Sequence, residues 1–148
     1  MRTVWWEAGT VRLLDQTRLP QEAIGRTCRT WEEVADAIRH LAIRGAPAIG
    51  AAAAFALVLA GGRDAGGRAG LAELQRAAAV LRQTRPTARN LGWALERMLA
   101  AAGRSSGEGS LAEVLLQEAE GIADEDVRSN RAIAERGAAL IHARERIL

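Results

Sequence analysis

The spacing of hydrophobic residues changes once along the chain, from alternation near the start to helical spacing beyond residue 30. Two short runs rich in β-branched and aromatic residues, 3–7 and 11–14, flank Gly9, which can supply the positive φ angle of a tight hairpin turn. A two-stranded hairpin is marginally stable by itself, so we expect a third strand around residues 23–27. The first 29 residues therefore predict a small antiparallel sheet of two or three strands.

The next two predicted elements are helices. Thr30 and Glu33 form a capping box, a common helix start, and apolar residues follow at helical spacing as far as Leu41. Gly45 is typical of the C-terminal cap of this helix, and Pro47 is typical of the first turn of another. The second helix extends to about residue 60 and is apolar on nearly every side, which predicts a central, buried position.

Three further helices are expected in the remainder of the chain. Their apolar periodicity covers residues 71–83, 86–102 and 111–143. The first carries Leu71 on its apolar face, and Pro86 opens the second. The third begins with a capping box at Ser110 and could be interrupted at Gly121 or Gly137. Two glycine-rich stretches predict loops, the first of them weakly ordered, at 61–70 and 103–109.

The predicted fold class is α+β, mostly α. A small antiparallel sheet over residues 1–29 packs on a bundle of about five helices over residues 30–148. The chain has 148 residues and a mass of 15.8 kDa, the length of one domain. Apolar residues make up 49% and charged residues 26%, which is the globular range and argues against disorder.

The residue types present exclude several kinds of site. Cys28 is the single cysteine, so no internal disulfide forms. Together with His40 and His142 it cannot complete a tetrahedral Cys/His zinc site, and no metal is expected. Both histidines are expected at the surface.

All 20 fixed cations are arginines, because the sequence contains no lysine, and 18 acidic residues bring the net charge to +2. The arginines are spread among the acids rather than gathered in a patch, so nucleic-acid binding is not expected. The absence of lysine also excludes Schiff-base chemistry. The longest apolar run, 48–60, is shorter than the ~20 residues that span a bilayer, and no signal peptide is seen, which favours the cytoplasm.

Two junctions between helices share a design that suits anions. In Arg44-Gly45-Ala46-Pro47 and in Arg85-Pro86-Thr87, an arginine precedes a proline-opened helix. The guanidinium then lies beside free backbone N–H groups at a positive helix end, and together they can bind a phosphate or carboxylate. Solvated arginines at inter-helix turns are the competing interpretation.

Other residues carry weaker candidate chemistry. Cys28 has no base near it in the sequence and is expected to be inert packing. The acidic run at 124–126 is expected to form a solvated helix face. Trp5 and Trp6 would point to opposite faces of a strand, so that one covers the helical core and the other needs a partner surface.

Four motifs that follow one another along the chain indicate its family. They are VRLLDQTRLP at 11–20, IRGAPAIG at 43–50, RPTARNL at 85–91, and Asp126 followed by NRAI at 130–133. Together they strongly resemble methylthioribose-1-phosphate isomerase. The same superfamily includes ribose-1,5-bisphosphate isomerases and the regulatory α, β and δ subunits of the translation initiation factor 2B exchange complex.

The resemblance implies a homodimer of two-domain subunits. These 148 residues correspond to the amino-terminal domain, and the Rossmann-like carboxyl domain of the family is absent from them. The resemblance also implies that Arg44, Gly45, Ala46 and Arg85 bind the sugar-phosphate substrate. The implied reaction converts 5-methylthioribose 1-phosphate to 5-methylthioribulose 1-phosphate in methionine salvage, without a cofactor. The resemblance places a catalytic cysteine and aspartate in the missing domain, so the chain alone is expected to be inactive.

Two alternatives stay open. The chain could be a non-enzymatic interaction domain like those of the initiation-factor subunits, or it could serve an isomerase of another sugar 1-phosphate.

Overall fold

The computed structural model describes residues 2–62, 68–104 and 110–141. Within them a three-stranded sheet precedes five helices, as the sequence predicts. In chain order the elements are β1 (Val4–Glu7), β2 (Thr10–Asp15), β3 (Ile24–Cys28), α1 (Trp31–Arg39), α2 (Ala46–Gly61), α3 (Arg68–Thr84), α4 (Arg89–Arg104) and α5 (Leu111–Ala138).

The sheet is antiparallel throughout, in the order β1-β2-β3. Its first hairpin turns at Ala8 and Gly9, whose φ angles of 47° and 76° match the right-handed twist of the paired strands. Trp6 stacks on Phe55 of α2 with ring centroids 6.2 Å apart, so this tryptophan covers the helical core as expected. The sheet is therefore fixed to α2 through its first strand.

Helix α2 is the centre of the fold. Every residue from 49 to 61 is buried, and α2 contacts all four other helices and strands β1 and β2. Its small residues allow close approach: a Cβ atom on Gly61 would lie 2.5 Å from Leu115 Cδ1 of α5. No polar side chain of the described residues is buried, so apolar burial drives the packing.

The capping box at Thr30 is confirmed, but the end of α1 is not where the sequence places it. His40 is the C-cap, and Leu41 turns outward with a φ of 62° and 44% exposure. This turn lets buried Ala42 and Ile43 donate their N–H groups to Ala37. Gly45 therefore does not cap α1.

The prediction for Pro86 is also wrong. The Ala88 N–H donates to the Arg85 carbonyl at 3.0 Å, so Pro86 lies inside a tight turn and α4 begins only at Arg89. Because proline fixes only its own φ, it suits a turn as well as a helix start.

Two further boundaries differ in α3 and α5. Helix α3 begins at Arg68, and Leu71 is 41% exposed rather than part of the core. Helix α5 runs without interruption through Gly121 and ends beside Gly137, because its capping box and its packing on α2 and α4 outweigh the low helix propensity of one glycine.

Residues 63–67 and 105–109, within the two expected loops, lie outside the described residues. No helix in the described part of the chain is both long and apolar enough to cross a bilayer.

Trp31→Ala tests the junction between α1 and α3. Trp31 is 6% exposed, donates its indole N–H to Glu73 at 3.0 Å, and lies under the Arg76 guanidinium, 5.2 Å from the ring centroid. We expect a loss of about 3 kcal/mol in the free energy of unfolding, measured by denaturant titration. Trp93→Ala, at a tryptophan that is 48% exposed, is the matched control and should lose much less. Equal losses would contradict the packing.

Candidate functional site

The first turns of α2 and α4 meet at one end of the bundle. A Cβ atom on Gly50 would lie 3.1 Å from the Asn90 carbonyl oxygen, so only glycine lets the two backbones approach this closely. Two cavities open at this junction, with volumes of about 500 and 200 Å³. Asn90 and Trp93 line both of them, so the cavities share a wall.

Both junctions predicted from the sequence border this place. Arg85 and Arg89 line the larger cavity, and Pro47 lines the smaller one together with residues of α5. The start of α2 and the start of α4, which the Pro86 turn precedes, are therefore neighbours in space.

Gly45 occupies the N-cap position of α2, with a φ of 93°, and not the end of α1. No side chain caps the start of α2, and its first internal hydrogen bond joins the Ile49 N–H to the Gly45 carbonyl at 3.0 Å. A Cβ at Gly45 would meet no atom within 4 Å, and Ala46 is exposed. The backbone N–H groups of this helix start are thus accessible at its positive end.

Gln16, in the turn just after β2, holds the segment before α2. The Gln16 backbone N–H donates to the Ala42 carbonyl at 3.0 Å, and its side-chain amide donates to the Arg44 carbonyl at 3.4 Å. Asp15 fixes this strand end by accepting from the Thr17 N–H at 3.0 Å and from the Thr17 hydroxyl at 2.7 Å. These bonds from Thr17 hold the pKa of Asp15 below its usual value.

The guanidinium groups at the junctions have no carboxylate partner among the described residues. Arg44 is exposed and Arg85 is half-buried, and neither forms an ion pair there. In contrast, Arg82 lines the same large cavity as Arg85 and pairs with Glu96 at 3.1 Å. Arg44 beside the uncapped start of α2, and Arg85 in the turn before α4, form an arrangement that can bind an anion.

The acidic run of α5 is less solvated than the sequence suggests. All three residues are half-buried, Asp124 pairs with Arg2, and Glu125 accepts two hydrogen bonds from Arg97 at 2.5 and 2.8 Å. These bonds lower the pKa of Glu125. Asp126 lines the smaller cavity and accepts from the Asn130 side-chain amide at 2.9 Å.

Sequence reasoning missed three residues of this site as functional candidates, Gln16, Asn90 and Trp93, and considered Asp126 only as part of the acidic run on α5. All but Trp93 lie within the family motifs, but the sequence of a motif does not show which residues come together in the folded chain. The spacing of Asn90 and Trp93 at i and i+3 on one helix was the available signal.

The remaining candidates lie away from the junction. Cys28 is buried, and burial raises the pKa of its thiol, which agrees with inert packing. His40 is exposed and contacts Asp36 at 2.9 Å, whereas His142 lies outside the described residues. Among the residues described, no group of three His, Cys, Asp or Glu side chains could hold a metal ion.

Comparison with known proteins places the chain in a family. A sequence profile of the initiation factor 2 subunit family matches residues 42–148, which include both arginine junctions. The chain belongs to this family.

Named relatives of the chain include enzymes. The methylthioribose-1-phosphate isomerase of Desulforudis audaxviator is 48% identical over 100% of this chain, which covers 43% of that protein. The chain thus spans less than half the length of this curated relative.

Two solved structures share the fold. The 5-methylthioribose 1-phosphate isomerase of Pyrococcus horikoshii is 38% identical, with a TM-score of 0.88 over 95% of this chain and 40% of that one. The translation initiation factor eIF-2B subunit delta of A. fulgidus is 42% identical, with a TM-score of 0.85 over 98% of this chain and 43% of that one. Both enzyme and initiation-factor names thus occur among similar proteins.

Gly50→Ala tests the contact between α2 and α4. Replacing a helical glycine by alanine normally stabilises by about 0.5–1 kcal/mol, and we expect this gain for the control Gly121→Ala, whose Cβ would lie 3.8 Å from the nearest atom, Arg97 Nη2. Gly50→Ala should bring no gain or a net loss, because the Asn90 carbonyl must move. Denaturant unfolding of both variants measures the difference, and equal gains would rule out the close approach.

Asp15→Asn tests the turn that holds the Arg44 segment. Because the folded pKa of Asp15 is lowered, its contribution to stability is present above the unfolded pKa near 3.9 and is lost as the pH falls through the folded value. We expect the free energy of unfolding of Asp15→Asn to fall less steeply below pH 4 than that of the wild type. Glu120→Gln, at an exposed α5 position, should keep the wild-type slope.

Proposed function

We propose that the protein is an aldose–ketose isomerase that converts 5-methylthioribose 1-phosphate to 5-methylthioribulose 1-phosphate. The observation that carries this proposal is that Arg44, just before α2, and Arg85, in the turn before α4, have no carboxylate partner among the described residues. The similarity to the methylthioribose-1-phosphate isomerases supports the choice of substrate.

The phosphate group of the substrate lies, in this proposal, between the starts of α2 and α4. Arg44 and Arg85 donate charge-assisted hydrogen bonds to its oxygens. The backbone at Gly45 and Ala46 adds N–H donors, and the absence of a Cβ at Gly45 lets an oxygen approach the chain. The guanidinium of Arg82 is already engaged by Glu96 and contributes less.

The reaction needs no oxidant, because C2 loses one hydrogen and C1 gains one. The phosphate on the anomeric oxygen masks the aldehyde, so the ring must open before the hydrogen moves. We assign the proton transfers to a cysteine and an aspartate of a further, Rossmann-like domain. These 148 residues then supply part of the substrate-binding side and are inactive alone.

The proposal includes a cellular setting. The enzyme acts in methionine salvage in the cytoplasm as a homodimer, without a cofactor and without binding nucleic acid. The dispersed arginines support the last point, since many of those described pair with carboxylates.

The test uses the protein expressed from its complete gene. We expect turnover of 5-methylthioribose 1-phosphate, detected as the ketose product. Arg44→Ala and Arg85→Ala should each raise KM at least about tenfold, as expected for a lost hydrogen bond to a charged group. Arg136→Ala, on the exposed end of α5, is the matched control and should leave kcat/KM unchanged. Unaltered kcat/KM in Arg85→Ala would remove this residue from the site.

The second candidate is a non-enzymatic interaction domain, favoured by the similarity to the A. fulgidus subunit. No turnover by the full protein, with no binding of the sugar phosphate in calorimetry, would favour this role.

A further inference from the structure

Trp93 is an unusual side chain for the rim of an anion site. It is 48% exposed, although it lines both cavities at the junction of α2 and α4. An exposed indole offers a large apolar surface, and none of the proposed phosphate contacts uses it. It therefore needs a separate explanation.

The indole is held in place by a braced arginine. The Arg97 guanidinium lies over the Trp93 ring, 5.4 Å from its centroid. Arg97 donates twice to Glu125 and once to Glu118, and these hydrogen bonds, chiefly the two to Glu125, hold the pKa of Arg97 above its usual range. Because its charge is balanced by two carboxylates, Arg97 supports the ring instead of offering a second phosphate site.

Trp93 also lies within reach of the starts of α2 and α4, where the phosphate is proposed to bind. Asn90, Trp93 and Arg97 follow one face of α4 at i, i+3 and i+7. At 1.5 Å per residue, Trp93 lies about 4.5 Å along the helix axis from Asn90, which marks the crossing with α2. A pentose whose phosphate binds at the helix starts can therefore extend toward the indole.

We infer that Trp93 determines specificity for the substituent at C5 of the sugar 1-phosphate, by packing its indole against an apolar group there. This inference rests on the proposed function and deepens it. A thioether makes favourable contacts with an aromatic ring, whereas a hydroxyl packed on the face of the indole, away from its N–H, would lose water without a full hydrogen bond in return.

The test compares 5-methylthioribose 1-phosphate with ribose 1-phosphate, using protein from the complete gene. The wild type should favour the methylthio substrate in kcat/KM. Trp93→Ala should reduce this preference roughly tenfold or more, the discrimination that an apolar pocket gives, mainly by raising KM for the methylthio substrate. Trp93→Phe should restore part of the preference, and the matched control Trp5→Ala should leave it unchanged.

Three outcomes would overturn the inference. A preference unchanged within twofold in Trp93→Ala would separate the indole from the substrate. An equal loss on both substrates would assign it a general structural role. A changed oligomeric state in size-exclusion chromatography, with the preference unchanged, would assign it to an interface between copies.

Failure of the proposed function can be told apart from failure of this inference. If the wild type isomerises neither sugar, the proposed function fails. The affinities of the wild type and of Trp93→Ala for the same two sugar phosphates, measured by calorimetry, then test the role of Trp93 separately. Equal affinities of the wild type for the two sugar phosphates would overturn the inference about Trp93.

Discussion

Burial of α2 on all sides is the constraint on which the rest of the structure depends. A helix with no polar face must be surrounded, and four helices and two strands of the small sheet do this. Its alanines and glycines bring those neighbours close, at Gly50 against α4 and at Gly61 against α5. The positions of the surrounding elements follow from where α2 lies.

The candidate site is a consequence of where this burial stops. Residues 45–47 are exposed, whereas burial is complete from Ile49 onward, so α2 emerges from the core with its first turn at the surface. Helix α4 begins beside it, and Gln16, just after β2, holds the preceding segment. A buried apolar helix thus presents its positive end at the surface directly after Arg44, which has no carboxylate partner among the described residues, at a place fixed by the core.

The elements of this fold were predictable where a local signal is strong. Capping boxes at Thr30 and Ser110, the hairpin at Gly9 and the all-apolar stretch of α2 act through neighbouring residues, and all four are confirmed. The errors at Gly45 and Pro86 arose because glycine and proline suit more than one local structure. At the end of α1, burial and hydrogen bonding of Ala42 and Ile43 decided the outcome, and at Pro86 a tight turn from Arg85 to Ala88 did. The meeting of the two arginine junctions depends on the Gly50–Asn90 approach, which only the tertiary structure shows.

The wall that Asn90 and Trp93 share between the two cavities has a consequence for chemical probes of this protein. A small anion would fill only one compartment and would compete with every phosphate in the cell. A molecule that joins a phosphate mimic to a flat, sulfur-bearing ring could occupy both compartments through a single linker. Such a compound gains from effective concentration, because binding of one end confines the other near its own compartment. Under the proposed function, selective inhibitors of this protein are therefore best built as two-part molecules that occupy both cavities.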